Sequence, residues 1–271
     1  IMELSKNRTG ASFAVVFAVI IAALLQIVTT SLPALGIGDP IGSRSDAVRS
    51  LVTPAGWAFS IWGPLFAGTI AFAIYQALPA QRSSRLLAHV RLPAAGAFLG
   101  NAAWALYTQF YGLSAISALI IVFTLLCLVT IYRRFASWQP MFSAGERWLA
   151  VLPLSALAAW LTAATIVNIV ASLIFHGVQA GEAAPLISAI VVLTGGVIAS
   201  VALARGRGNP FYALVFLWAL SAIYAAGGQQ AELVAIAAGV AAVLVLVGMV
   251  IGLRSAGLKR WFGGAPVGAR L

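Results

Sequence analysis

Eight stretches of the chain stay apolar over the length of a membrane-crossing helix, and short runs of Gly, Pro, Ser or Arg separate them. They cover about 11–35, 55–79, 93–112, 114–133, 148–175, 184–204, 209–227 and 231–253, and a helix needs roughly 20 residues to cross a bilayer. Apolar and polar residues do not alternate over strand lengths, which excludes a membrane β-barrel. The pattern predicts an all-α, polytopic membrane helical bundle of about eight transmembrane helices. Only Tyr111-Gly112-Leu113-Ser114 separates the third span from the fourth, so these two are expected to form a tight helical hairpin.

Composition agrees. Of 271 residues, 62% are hydrophobic and 8% charged, against about 25% charged in soluble domains. The net charge is +10, and its placement is informative. With the N-terminus inside, fourteen of the sixteen Lys and Arg residues fall in inner segments, leaving only Arg44 and Arg49 outside. Every short loop then obeys the positive-inside rule, so both termini are expected in the cytoplasm. The positive excess reads as topology and contact with anionic lipid headgroups. No basic surface interleaved with aromatics suggests a nucleic-acid partner.

Lys6 and Arg8 precede the first span and "SLPALG" ends it, a pattern that a signal peptide shares. The apolar run is long for a signal core, so an uncleaved first helix is expected. Cys127 is the single cysteine and lies mid-span, which leaves no disulfide and no cysteine-based metal site.

As drawn, the spans hold Asp, Glu, Lys or Arg only at their very ends, at Arg133 and Glu232. Ion-coupled transport relies on ionisable groups at membrane depth, so a pump is not expected. No nucleophile–base pair stands out either, and no catalytic residue or metal site is assigned; ligand photochemistry is the most that enzyme activity could amount to. His89 is expected to be solvated in a cytoplasmic loop. His176 is expected at the interface, with ligation of a haem or chlorophyll metal as the alternative. "SAGE" at 143–146 is a capping box opening the fifth helix. Asn101, Trp104 and Thr108 share one helical face, which should point into the bundle because their polar groups need partners there. "GAFLG" at 96–100 and "GMVIG" at 248–252 are GxxxG patterns for close helix approach, within the bundle or between protomers.

The segment "TPAGWAFSIWGPLF" at 53–66 breaks the Ala/Val/Leu monotony. Pro54 suits a helix start. Pro64, inside the second span, is expected to kink it beside Trp57, Phe59 and Trp62. Deep aromatics on a bent helix suit a flat ligand held by stacking.

Three blocks in order resemble the tryptophan-rich sensory protein/translocator protein family (TspO/MBR). The first is Pro54, Trp57, Phe59 and Trp62. The second is Asn101 and Trp104 with the Phe110-Tyr111 pair, and the third is Trp160 with Asn168. Pro153 is followed by Leu154 where the family has tyrosine, and it lies seven residues before Trp160, more than the family's interval. The resemblance covers about residues 10–175. The chain is therefore expected to divide into a TspO/MBR-like five-helix bundle over 1–177 and three additional transmembrane helices with a basic cytoplasmic tail over 178–271. Phe211, Tyr212, Phe216, Trp218 and Tyr224 in that second part are expected to serve core packing or face lipid.

The resemblance implies a ligand pocket formed by Trp57, Phe59, Trp62, Asn101, Trp104, Trp160 and Asn168. The loop over 36–53, with Asp39, Arg44, Asp46 and Arg49, would be its lid, where basic residues could meet ligand carboxylates. No cofactor is required. The implied ligand is a porphyrin or other tetrapyrrole, a sterol or a carotenoid-like molecule, held in a sensory, regulatory or carrier role. The implied setting is a bacterial cytoplasmic membrane, with a photosynthetic association. Two other readings stand beside this one: an accessory subunit of a larger membrane complex such as a pigment–protein assembly, and an uncoupled transporter of a neutral metabolite. A homo-oligomer fits the small-residue faces as well.

Overall fold

The computed structural model describes residues 12–263, so Lys6, Arg8 and Arg270 of the charge count lie outside the described residues. The helices are α1 (Phe13–Ser31), α2 (Ile41–Asp46), α3 (Trp62–Ala77), α4 (Arg85–Tyr111), α5 (Ala115–Ser137), α6 (Ala144–Glu146), α7 (Leu152–Phe175), α8 (Ala184–Arg205), α9 (Pro210–Ala226), α10 (Glu232–Ala256) and α11 (Lys259–Phe262). Eight of them are long and follow the eight expected spans. Among the described residues, seven helical stretches are long and apolar enough to cross a membrane; α4 is the eighth long helix.

α4 departs from expectation at its start. It begins at Arg85, eight residues before the expected boundary, because Ser84 caps it by accepting the Leu87 N–H at 3.3 Å. Pro93, read as a boundary, is carried inside the helix, where it removes a single backbone bond. His89 therefore sits on an exposed helical turn rather than in a loop, its Nδ1 bonded to the Arg85 carbonyl at 2.7 Å. Arg91 is a larger correction. Expected in an inner loop, it lies inside a long helix and is 1% exposed, so α4 carries a buried charge. Its guanidinium donates to Gln76 Oε1 at 2.9 Å and to the Gln76 and Gln81 carbonyls at 3.0 and 2.7 Å.

Pro64 does not kink a helix. Gly56–Ile61 forms a 3₁₀ turn and α3 starts at Trp62, which places Pro64 in the first turn, where a missing N–H is tolerated. In the fifth span, the capping box at Ser143 and Glu146 forms as expected. A π-helical turn over Arg147–Val151 then leads into α7 just before Pro153. The wider turn absorbs a residue and sets the register in which α7 presents Trp160.

α7 is the axis of the bundle, buried along nearly all of Pro153–Ala163, as expected of a helix apolar all round. α3, α5, α8 and α9 pack on it, α1 packs on α3 and α4, and α10 pairs with α8 and α9. Both GxxxG patterns serve contacts within the bundle. Gly96 and Gly100 face Cys127 and Thr124 of α5, and Gly248 and Gly252 admit the backbone at Ser200 and Leu203. The α4–α5 hairpin turns at Gly112, whose φ of 78° suits glycine.

A buried polar file links α1, α3 and α4. Asn101 Nδ2 donates to Gln26 Oε1 at 3.2 Å, and Gln26 Nε2 donates to Thr69 Oγ1 at 2.8 Å. Gln76 Nε2 reaches the Val16 carbonyl at 3.1 Å. These bonds supply the interhelical partners that such side chains need in an apolar medium.

At one end of the bundle, α11 fastens the loops together. Arg260 donates to the Phe135 carbonyl at 2.8 Å and Trp261 Nε1 to the Arg207 carbonyl at 3.0 Å. Burial, with neighbouring Arg207, pulls the Arg260 guanidinium down to about 10, which leaves it charged at neutral pH.

Candidate ligand site

The site begins with the segment that opens on Pro54. Its backbone is pinned to α9: the Ala55 N–H donates to the Ala222 carbonyl at 3.0 Å, and Trp218 Nε1 donates to the Ala58 carbonyl at 3.2 Å. Gly227, just past α9, packs against the Leu51 carbonyl so closely that a Cβ would overlap it. The turn over Gly56–Ile61 is thereby held with Phe59 directed inward.

A cavity of about 60 Å³ lies behind it, lined by Phe59, Trp104, Trp160 and Asn168 with Leu113, Ala164 and Ile223 among the apolar walls. An outer recess of about 330 Å³ lies under α2, with Trp62, Asp46 and Arg49 on its walls. Ile41, Pro54 and Phe59 line both spaces, so Phe59 is part of the partition between them. Together the two reach the low end of the roughly 300–1,000 Å³ of small-molecule sites; the inner chamber alone is too small for a flat polycyclic ligand.

The aromatic rings are cross-braced. Trp160 meets Phe59 and Trp62 edge-on, with centroids 6.2 and 6.1 Å away, and Trp62 stacks on Phe66 at 5.1 Å. These geometries are among the favourable ones for aromatic pairs. Trp104 and Trp160 are 8% and 3% exposed, and neither indole N–H has an acceptor. An indole N–H can only donate, and a buried donor left unpaired costs about 1–3 kcal/mol. Both rings line the cavity, and a ligand acceptor that reached either N–H would recover that cost. Asn168 lies on the same wall, its Oδ1 accepting from Ser117 Oγ at 3.1 Å.

Of the expected pocket residues, Phe59, Trp104, Trp160 and Asn168 converge on the inner cavity and Trp62 on the recess. Two do not join them. Asn101 turns to α1, as its bond to Gln26 shows. Trp57 is 47% exposed and packs edge-on against Trp218 at 4.8 Å. Asn101 shares a helical face with Trp104 only to within the width of that face, and the cavity admits Trp104 alone.

Sequence reasoning missed the contribution of α9. Ala219 and Ile223 line the cavity, and small and branched apolar residues in an apolar helix give no separate signal. Phe211, Tyr212 and Phe216 are buried as core packing, whereas Tyr224 is exposed.

The lid loop is more tied than its charges suggest. Arg44 pairs with Asp39 at 2.8 Å and donates to the Gln109 and Phe110 carbonyls at 3.0 and 3.2 Å. It thus satisfies carbonyls left open at the end of α4. Arg49 pairs with Asp46 at 3.0 Å in the open, a surface contact worth about 0–1 kcal/mol. Of the two basic lid residues, only Arg49 is readily exchanged for a ligand carboxylate. His176 Nε2 accepts the Ala115 N–H at 3.2 Å at the α5 start. Among the described residues, no group of three or more His, Cys, Asp and Glu side chains is arranged to hold a metal ion.

A family model described as TSPO-like protein matches residues 12–251, from α1 into α10. No match was found among curated proteins or solved structures. With most of its length covered by that match, this integral membrane protein belongs to the TSPO-like protein family.

Proposed function

We propose that the protein binds a flat, mainly apolar molecule carrying a hydrogen-bond acceptor, in a sensory, regulatory or carrier role without chemistry of its own. The observation that carries this reading is a mostly apolar cavity walled by the rings of Phe59, Trp104 and Trp160, two of which carry buried indole N–H groups without an acceptor. A tetrapyrrole, a sterol or a carotenoid-like molecule with an oxygen or ring-nitrogen acceptor has the right shape and polarity. The ligand enters through the recess under α2, displaces Phe59, and occupies both chambers as one. Arg49, released from Asp46, meets any carboxylate at the mouth.

The setting is a bacterial cytoplasmic membrane with both termini inside, supported by the distribution of Lys and Arg. The test is a titration of the detergent-solubilised protein with protoporphyrin, followed by tryptophan emission. Saturable quenching that weakens in Trp160→Phe supports the proposal. Emission that falls linearly without saturation contradicts it.

A further inference from the structure

The second large space in the molecule lies at the other end of the bundle. α5 and α8 flank a cleft of about 790 Å³ floored by Ala158 and Thr162 of α7. Tyr132 bridges it, its hydroxyl donating to the Ala202 carbonyl at 3.3 Å. Three guanidinium groups, Arg133, Arg205 and Arg207, line it, and no Asp or Glu does. None of the three donates a hydrogen bond to a protein acceptor or pairs with a carboxylate among the described residues. Arg207 also takes a φ of 58°, unusual for a residue other than glycine.

From this mouth the cleft becomes apolar. Leu125 and Val129 on α5 and Ile198 and Val201 on α8 continue its walls, which at 1.5 Å per residue reach roughly 12 Å along the helices. Val129, Ile198 and Val201 are exposed, so this part opens sideways to the bilayer. A soluble phosphate would use only the arginines. An amphiphile uses both parts, its phosphate against the guanidinium forks and its chain along the groove.

We propose that this cleft is a binding site for a phospholipid with an anionic headgroup, separate from the aromatic cavity. Its phosphate sits among Arg133, Arg205 and Arg207 and one acyl chain lies between α5 and α8.

The test is native mass spectrometry of the detergent-solubilised protein titrated with phosphatidylglycerol, phosphatidylcholine of the same chains, or glycerol 3-phosphate. Phosphatidylglycerol should bind at least tenfold tighter than phosphatidylcholine. Arg133→Gln/Arg205→Gln should lose that preference; both side chains are exposed, so thermal stability should stay near wild type. Val201→Trp, which fills the groove from its exposed wall, should weaken both lipids while the preference remains. Equal affinity for the two lipids in the wild type, or a preference retained in the double arginine variant, would overturn the proposal. Glycerol 3-phosphate displacing the lipid at equal concentration would overturn it in favour of a soluble organophosphate.

Discussion

Trp104 of α4 and Trp160 of α7 face one cavity, and the indole N–H of neither has an acceptor. Each buried donor without a partner carries a desolvation cost that a ligand acceptor would relieve. Replacing either by phenylalanine keeps an aromatic wall and removes one donor. Trp104→Phe and Trp160→Phe should each weaken a carbonyl-bearing flat ligand by about fivefold, the worth of roughly 1 kcal/mol. A ligand of the same shape without an acceptor should be unaffected. Absorbance titration of the ligand measures both cases.

Phe59 lines both the inner cavity and the outer recess. Phe59→Ala should join them and speed association of a bulky ligand in stopped-flow mixing. Because Phe59 is only half-buried, the stability cost should be about 1–2 kcal/mol, below the 3–5 of a fully buried phenylalanine.

Arg44 ties the lid to the end of α4 through Asp39 and two carbonyls. Arg44→Gln should lower the local opening free energy of the lid by about 1–2 kcal/mol. Amide hydrogen exchange over 36–53 should rise about fivefold to thirtyfold, with α7 unchanged.

Arg91 is buried with Gln76 and backbone carbonyls as its partners and has no carboxylate. Gln76→Leu removes the side-chain acceptor and should cost about 2–4 kcal/mol, because a buried charge loses its partner. Gln76→Leu combined with Arg91→Met removes both polar groups and should recover most of that loss. Thermal unfolding of the single and double variants decides between this coupling and two independent defects.

The helices were legible in the sequence because hydrophobic length is a strong signal: the ends of α5, α8 and α9 fall within a few residues of those expected. α4 was misplaced at its start because Pro93, Arg91 and His89 look like a loop when read locally. The tertiary acceptor that lets Arg91 lie inside the bundle, Gln76, is 15 positions away. Pro64 misled for a similar reason, since a proline in a first turn and one at a kink look alike without the 3₁₀ turn before it. The aromatic blocks pointed to Phe59, Trp104, Trp160 and Asn168, but spacing could not separate Asn101, which bonds to α1, from Trp104 on the same broad face. The role of α9 was hidden because its link to the site runs through backbone contacts, the Ala55 N–H to Ala222 and Trp218 to the Ala58 carbonyl.

Occupancy of the aromatic cavity can be tested by closing it. Ala164 lines the inner chamber and is only half-buried, so Ala164→Phe should fill the space with little strain elsewhere. Isothermal titration of the wild type with protoporphyrin should give a saturable isotherm with one site per chain, and the same titration of Ala164→Phe should give no binding. An isotherm that is the same in both proteins would place the ligand elsewhere and contradict the assignment of this cavity as its site.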